Sequence, residues 1–150
     1  MSGFEMNREE HNSSPLRFKE FLKLHLRRQR FLTQEQEARL LEEAVLRYNL
    51  TADEANGALR AAADDADIVT EAELLNSSVQ LLKAMADKKN RISREDFEKA
   101  ADFYRSRTGT TITPIEARKR VKRVMEEHSL EPRRSGRLLK TRRWYRQIGE

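Results

Sequence analysis

Two stretches of the chain carry oxygen-bearing side chains at matching intervals. Asp64, Asp67 and Glu73 recur 23 residues later as Asp87, Asn90 and Asp96, within Ala63-Asp64…Val69-Thr70-x-x-Glu73-Leu74 and Ala86-Asp87…Ile92-Ser93-x-x-Asp96-Phe97. Carboxylates and amides so spaced are the donors a hard divalent cation takes. A third group lies near the C-terminus, where Arg137, Lys140, Arg142, Arg143 and Arg146 interleave with Trp144 and Tyr145. Arginine forks bind carboxylate or phosphate in pairs, and aromatic rings supply contact area or stack on bases. The histidines are His11, His25 and His128, too scattered for a metal site or a base beside a nucleophile, and there is no cysteine and no glycine-rich phosphate loop. No catalytic residue and no cofactor is expected, and the chain reads as non-enzymatic.

The elements that must position these groups share one start signal. An apolar residue precedes Ser or Thr, and an acid or amide follows three residues later, in Leu32-Thr33-x-x-Gln36, Leu50-Thr51-x-x-Glu54, Val69-Thr70-x-x-Glu73, Ile92-Ser93-x-x-Asp96 and Ile112-Thr113-x-x-Glu116. This is the capping box, in which hydroxyl and N3 side chain cover each other's orphan backbone donors. Helices are therefore expected from 33 to 48, 52 to 63, 71 to 86, 94 to 107 and 114 to 128. Ser14-Pro15 gives a sixth start, for a basic amphipathic helix over 15–31 with Phe18, Phe21, Leu22 and Leu26 on one stripe. The remaining inward stripes are Leu41, Ala44, Val45 and Tyr48; Ala55, Leu59 and Ala62; Leu75, Val79, Leu82 and Met85; Phe97, Ala100, Ala101 and Tyr104; and Ala117, Val121, Val124, Met125 and His128. Asn49 and Gly109 read as left-handed stops. The fold class is all-α, a compact bundle of about six capped helices with a basic C-terminal extension.

In this setting the 64–73 and 87–96 loops resemble degenerate EF-hands, with Asp64 and Asp87 third in the loop, Asp67 and Asn90 sixth, Val69 and Ile92 eighth, and Glu73 and Asp96 twelfth. Ala62 and Met85 stand at the first ligand position and Ala66 and Lys89 at the fifth, so the frame lacks two ligands per loop and no bound metal is expected. The turn Ala86-Asp87…Ile92-Ser93-x-x-Asp96 also resembles those of tellurite-resistance B-type helical modules, over about 33–128. That resemblance implies protein interaction rather than catalysis.

With 150 residues, 37% charged, and a mean hydropathy of −0.87, the chain has room for one modest core. The expected organisation is a flexible arm (1–14), a helical domain (15–130) and a basic aromatic extension (131–150). The absence of cysteine and of a long apolar run fits a soluble cytoplasmic protein. The net charge of +5 hides an acidic middle, 33–78, between basic flanks. The leading functional expectation is an adaptor or regulatory protein that binds an acidic or amphipathic protein partner. Its contacts would be Arg137, Lys140, Arg142, Arg143, Trp144, Tyr145 and Arg146, with Arg27, Arg28 and Arg30 on the basic helix as a second surface. A nucleic-acid accessory role would add Arg118, Lys119, Lys122 and Arg123 on phosphates, and association with anionic membrane is the third possibility. Large apolar groups in the extension either dock on the body or form the adhesive part of a binding segment.

Overall fold

The computed structural model describes residues 2–149, with side chains from residue 13 onward. Among the described residues seven helices and four two-residue strands follow one another in the order α1 (Ser2–Leu26), β1 (Phe31–Leu32), α2 (Gln34–Tyr48), α3 (Ala52–Asp65), β2 (Val69–Thr70), α4 (Glu71–Met85), β3 (Arg91–Ile92), α5 (Arg94–Arg107), α6 (Pro114–Glu127), β4 (Glu131–Pro132) and α7 (Arg143–Arg146). The fold is all-α as expected. Among the described residues no helix is long and apolar enough to cross a membrane. The chain divides into two compact units, Met1–Glu71 and Ala72–Glu150.

The shared start signal has the anticipated chemistry. Thr33 and Thr51 form complete boxes, the hydroxyls accepting from Gln36 N and Glu54 N while the Gln36 and Glu54 side chains accept from the cap N–H groups at 2.9 and 3.3 Å. Ser93 and Thr113 accept from Asp96 N and Glu116 N, both at 3.1 Å. At Ser93 the box is half made: the shorter Asp96 carboxylate lies instead 4.0 Å from Lys99. Asn49 ends α2 with φ 53°, and Gly109 follows α5 with φ 66°.

In the first unit, Phe18, Leu22 and Leu26 of α1 bury completely and share a core with Leu32, Leu40, Ala44, Leu50, Ala55, Leu59, Ala63 and Ile68. Phe18, Phe21 and Tyr48 form an aromatic cluster with centroids 5.4–6.1 Å apart. The α2 stripe is rotated from its expected phase: Leu40 is buried, whereas Val45 is 43% exposed. Ser14 and Pro15, expected to start a helix, lie inside α1. Proline removes one rung of the ladder there; upstream, Glu5, Met6, Arg8, Glu9 and Glu10 are strong helix formers. Of the arm expected over 1–14, Met1 and the side chains through Asn12, His11 included, lie outside the described residues. At its other end α1 stops at Leu26, not 31, because Phe31 and Leu32 pair in parallel with Val69 and Thr70. The turn that permits this has Gln29 N donating to Leu26 O at 3.1 Å.

The second unit repeats the order helix, short strand, two helices, short strand, with Arg91 and Ile92 paired in parallel to Glu131 and Pro132. Ile92, Phe97, Ala100, Tyr104, Ala117, Val121 and Met125 are buried there. In α4 the buried row is Leu74, Ser78 and Leu82, one position from the expected Leu75 and Val79; the Ser78 hydroxyl donates to Leu74 O at 2.7 Å and so tolerates burial. His128, expected inward, is the exposed C-cap of α6.

Candidate binding cleft and its basic rim

The two carboxylate loops turn the chain at equivalent positions. Asp67 and Asn90, the paired sixth positions, both adopt left-handed backbone, φ 53° and 57°; Asp and Asn accept that conformation more readily than most residues. The Asp87 carboxylate accepts from the backbone N–H groups of Lys89 and Arg91 at 2.9 and 3.0 Å and from Arg91 Nε at 3.1 Å, with Arg133 Nε at 3.6 Å. Partial burial raises its pKa, but the donors from Arg91 and Lys89 outweigh that and hold it below the ordinary carboxylate value. Two guanidinium groups thus lie beside the Asp87 carboxylate. Among the described residues no three His, Cys, Asp or Glu side chains gather as a metal site.

The C-terminal extension docks on its own unit through its aromatic pair. Phe97 meets Trp144 at 5.3 Å and Tyr145 at 6.2 Å, both edge to face, and Trp144 meets Tyr145 at 5.7 Å in the same manner. Trp144 Nε1 donates to Arg133 O at 3.0 Å. From α6, Lys122 Nζ donates to the carbonyls of Tyr145 and Ile148 at 3.1 and 2.9 Å and stands 4.7 Å from the Tyr145 ring centre. It satisfies carbonyls at the end of the four-residue α7, where a cation suits the helix terminus. Burial, then the charge of Glu126, push the Tyr145 hydroxyl up to about 12.

This docking leaves a cavity of about 890 Å³ between the end of α6, β4 and the 134–146 stretch. Leu130, Pro132 and Tyr145 give it an apolar floor; Arg134, Lys140, Arg142 and Arg146 contribute positive charge, against Glu126 and Glu131. Arg142 lies 3.6 Å from Glu131, an exposed pair of small energetic weight, and Arg142 Nε is buried without an acceptor among the described residues. Arg134, Lys140 and Arg146 have no ion-pair partner among the described residues.

Of the residues singled out by sequence, Lys140, Arg142, Tyr145 and Arg146 meet at this cleft, while Arg137 and Arg143 are exposed outside its lining. Trp144 is turned onto Phe97 on one side and on the other borders a second cavity of about 330 Å³ with Ile115, Arg118, Lys119 and Ile148. The phosphate candidates differ in their surroundings: Arg118 Nε bonds both Glu98 oxygens at 3.2 and 3.0 Å, Lys122 is engaged internally, and Lys119 and Arg123 are exposed. Arg27, Arg28 and Arg30 belong to the first unit and stand exposed on the turn after α1, not on a helical face; Arg27 borders a cavity of about 350 Å³ with Lys19, Lys23 and Asp65. Sequence reasoning missed Arg134, which was not among the candidate contacts of the extension. Leu138 and Leu139, read with the other large apolar groups of the extension as either docking on the body or adhesive, stand on the outside. Comparison of the chain with protein-family models, curated proteins and solved structures gave no match.

Proposed function

We propose that this chain is a non-enzymatic adaptor that takes an acidic, amphipathic segment of a protein partner in the second unit's cleft. The carrying observation is the combination of an apolar floor at Leu130, Pro132 and Tyr145 with Arg134, Lys140 and Arg146, cations without an ion-pair partner among the described residues, at about 890 Å³, room for several side chains. Such a lining complements carboxylates and aliphatic groups presented together. The likeness of the Ala86–Asp96 turn to interaction modules supports the same class of role.

Fluorescence anisotropy with a labelled Glu/Leu peptide, beside single- and double-stranded oligonucleotides over a salt series, tests this. The peptide should bind the full chain, and Lys140→Glu with Arg146→Glu should weaken it at least about tenfold. Oligonucleotide binding that exceeds peptide binding, with a steep salt slope, would replace the adaptor by a nucleic-acid role.

A further inference from the structure

The loop from Ser135 to Thr141 is closed by backbone. Ser135 N donates to Thr141 O at 2.7 Å, and Thr141 N returns the bond to Ser135 O at 3.1 Å. Gly136 takes φ +149°, and a Cβ there would fall 2.3 Å from Leu139 O, so the chain folds back on itself in a way only glycine permits. The tip that results is Arg137-Leu138-Leu139-Lys140, on which Leu138 is 97% and Leu139 80% exposed. Two adjacent leucines on a bridged loop, left uncovered by the described residues, are an exposed apolar feature that calls for a partner.

The surroundings identify its chemistry. Cations bracket the leucines directly, and every charged residue from Pro132 to Gly149 is arginine or lysine. A protein pocket for this tip would have to be shaped, dry and uniformly acidic around its mouth. A bilayer with anionic headgroups offers apolar depth beneath a one-signed layer and requires no shape match. We propose that the 135–141 loop inserts Leu138 and Leu139 into the interface of an anionic lipid bilayer, with Arg137 and Lys140 at headgroup level. Trp144, the residue type usually found at that level, is held by Phe97 and Arg133 O, so the leucines are the apolar anchors. The loop shares Lys140 and Thr141 with the cleft lining, whereas Leu138 and Leu139 lie outside it, so variants of the leucines test this inference separately from the cleft.

Co-sedimentation of the full chain with phosphatidylserine-rich vesicles and with pure phosphatidylcholine vesicles tests it. Binding is expected to the first and not the second. Leu138→Ser with Leu139→Ser should lower it roughly a hundredfold, about tenfold for each partly inserted leucine, with the Lys140, Arg142 and Arg146 cations untouched. In Leu139→Trp, emission should gain a blue-shifted component quenched by bromine-labelled acyl chains, a readout that does not depend on the serine variant. Failure to bind the anionic vesicles, or equal binding by the Leu→Ser variant, overturns the proposal. So does capture of a soluble acidic peptide through the leucines with no vesicle binding, which would make the tip a protein contact.

Discussion

Replacing Lys122 with Met isolates what holds the C-terminal extension on its unit. The methylene stem is retained, and the variant loses the ammonium that donates to the carbonyls of Tyr145 and Ile148 at 3.1 and 2.9 Å and faces the Tyr145 ring at 4.7 Å. Hydrogen bonds from charged donors contribute about 1.5–3 kcal/mol each. Here one half-buried ammonium serves both carbonyls, so the pair is worth about 2 kcal/mol together rather than the sum. Its position over the ring adds about 0.5–1 kcal/mol, part of which a methionine sulfur against the same ring keeps. A loss of about 2–3 kcal/mol in docking is expected. Trp144, the only tryptophan, packs on Phe97 and reports that docking by its emission. In urea the emission transition of Lys122→Met should move down by about 1 M, given a slope of about 2 kcal/mol/M. Far-UV circular dichroism shows whether the helices follow. A midpoint within about 0.3 M of the parent by both probes would refute this account of the extension's attachment.

Ser93→Ala removes the acceptor for Asp96 N and should cost about 0.5–2 kcal/mol in chemical denaturation, with peptide binding at the cleft unchanged; lost binding in a folded variant would contradict a purely structural role. Because the Tyr145 hydroxyl is raised to about 12 against an ordinary value of about 10, its contribution to stability is complete below pH 10 and is lost as pH rises towards 12. Ultraviolet titration should show a late tyrosinate step that Tyr145→Phe abolishes. The lowered pKa of Asp87 works in the opposite direction: its contribution is present above the ordinary carboxylate range and disappears as pH falls through the lowered value. Asp87→Asn should flatten the acid limb of the parent's stability profile, and an unchanged acid limb would count against the Arg91 and Lys89 contacts.

Local information was enough for most helix starts, because a cap involves residues three apart and needs no tertiary partner. Thr33, Thr51, Ser93 and Thr113 all accept from the backbone N–H three residues on, and at Thr33 and Thr51 the reciprocal bond closes the box. Periodicity found Phe18, Leu22 and Leu26, and Phe97, Ala100, Ala101 and Tyr104, where the buried stripe is wholly apolar. It slipped on α4, where Ser78 occupies the centre of the buried row and meets its hydrogen-bonding need through the helix's own Leu74 carbonyl. The cleft was legible as a composition, arginines among aromatics, and not as an arrangement. Nothing local distinguishes Arg146, at the cavity, from Arg143, outside its lining, or Lys122, bound to carbonyls, from exposed Arg123.

Sequence by itself determined the all-α class, four verified cap sites and the basic character of the C-terminal half, since these follow from short-range spacing and from charge that burial does not alter. Tertiary structure decided the rest. Pairing of Phe31–Leu32 with Val69–Thr70 ended α1 early, and docking on Phe97 and Lys122 turned Trp144 and Tyr145 inward. Closure of the 135–141 loop left Leu138 and Leu139 outside. Each outcome depends on partners distant in the chain, or on a backbone turn whose consequence for exposure is set by what surrounds it, and residue type alone encodes neither.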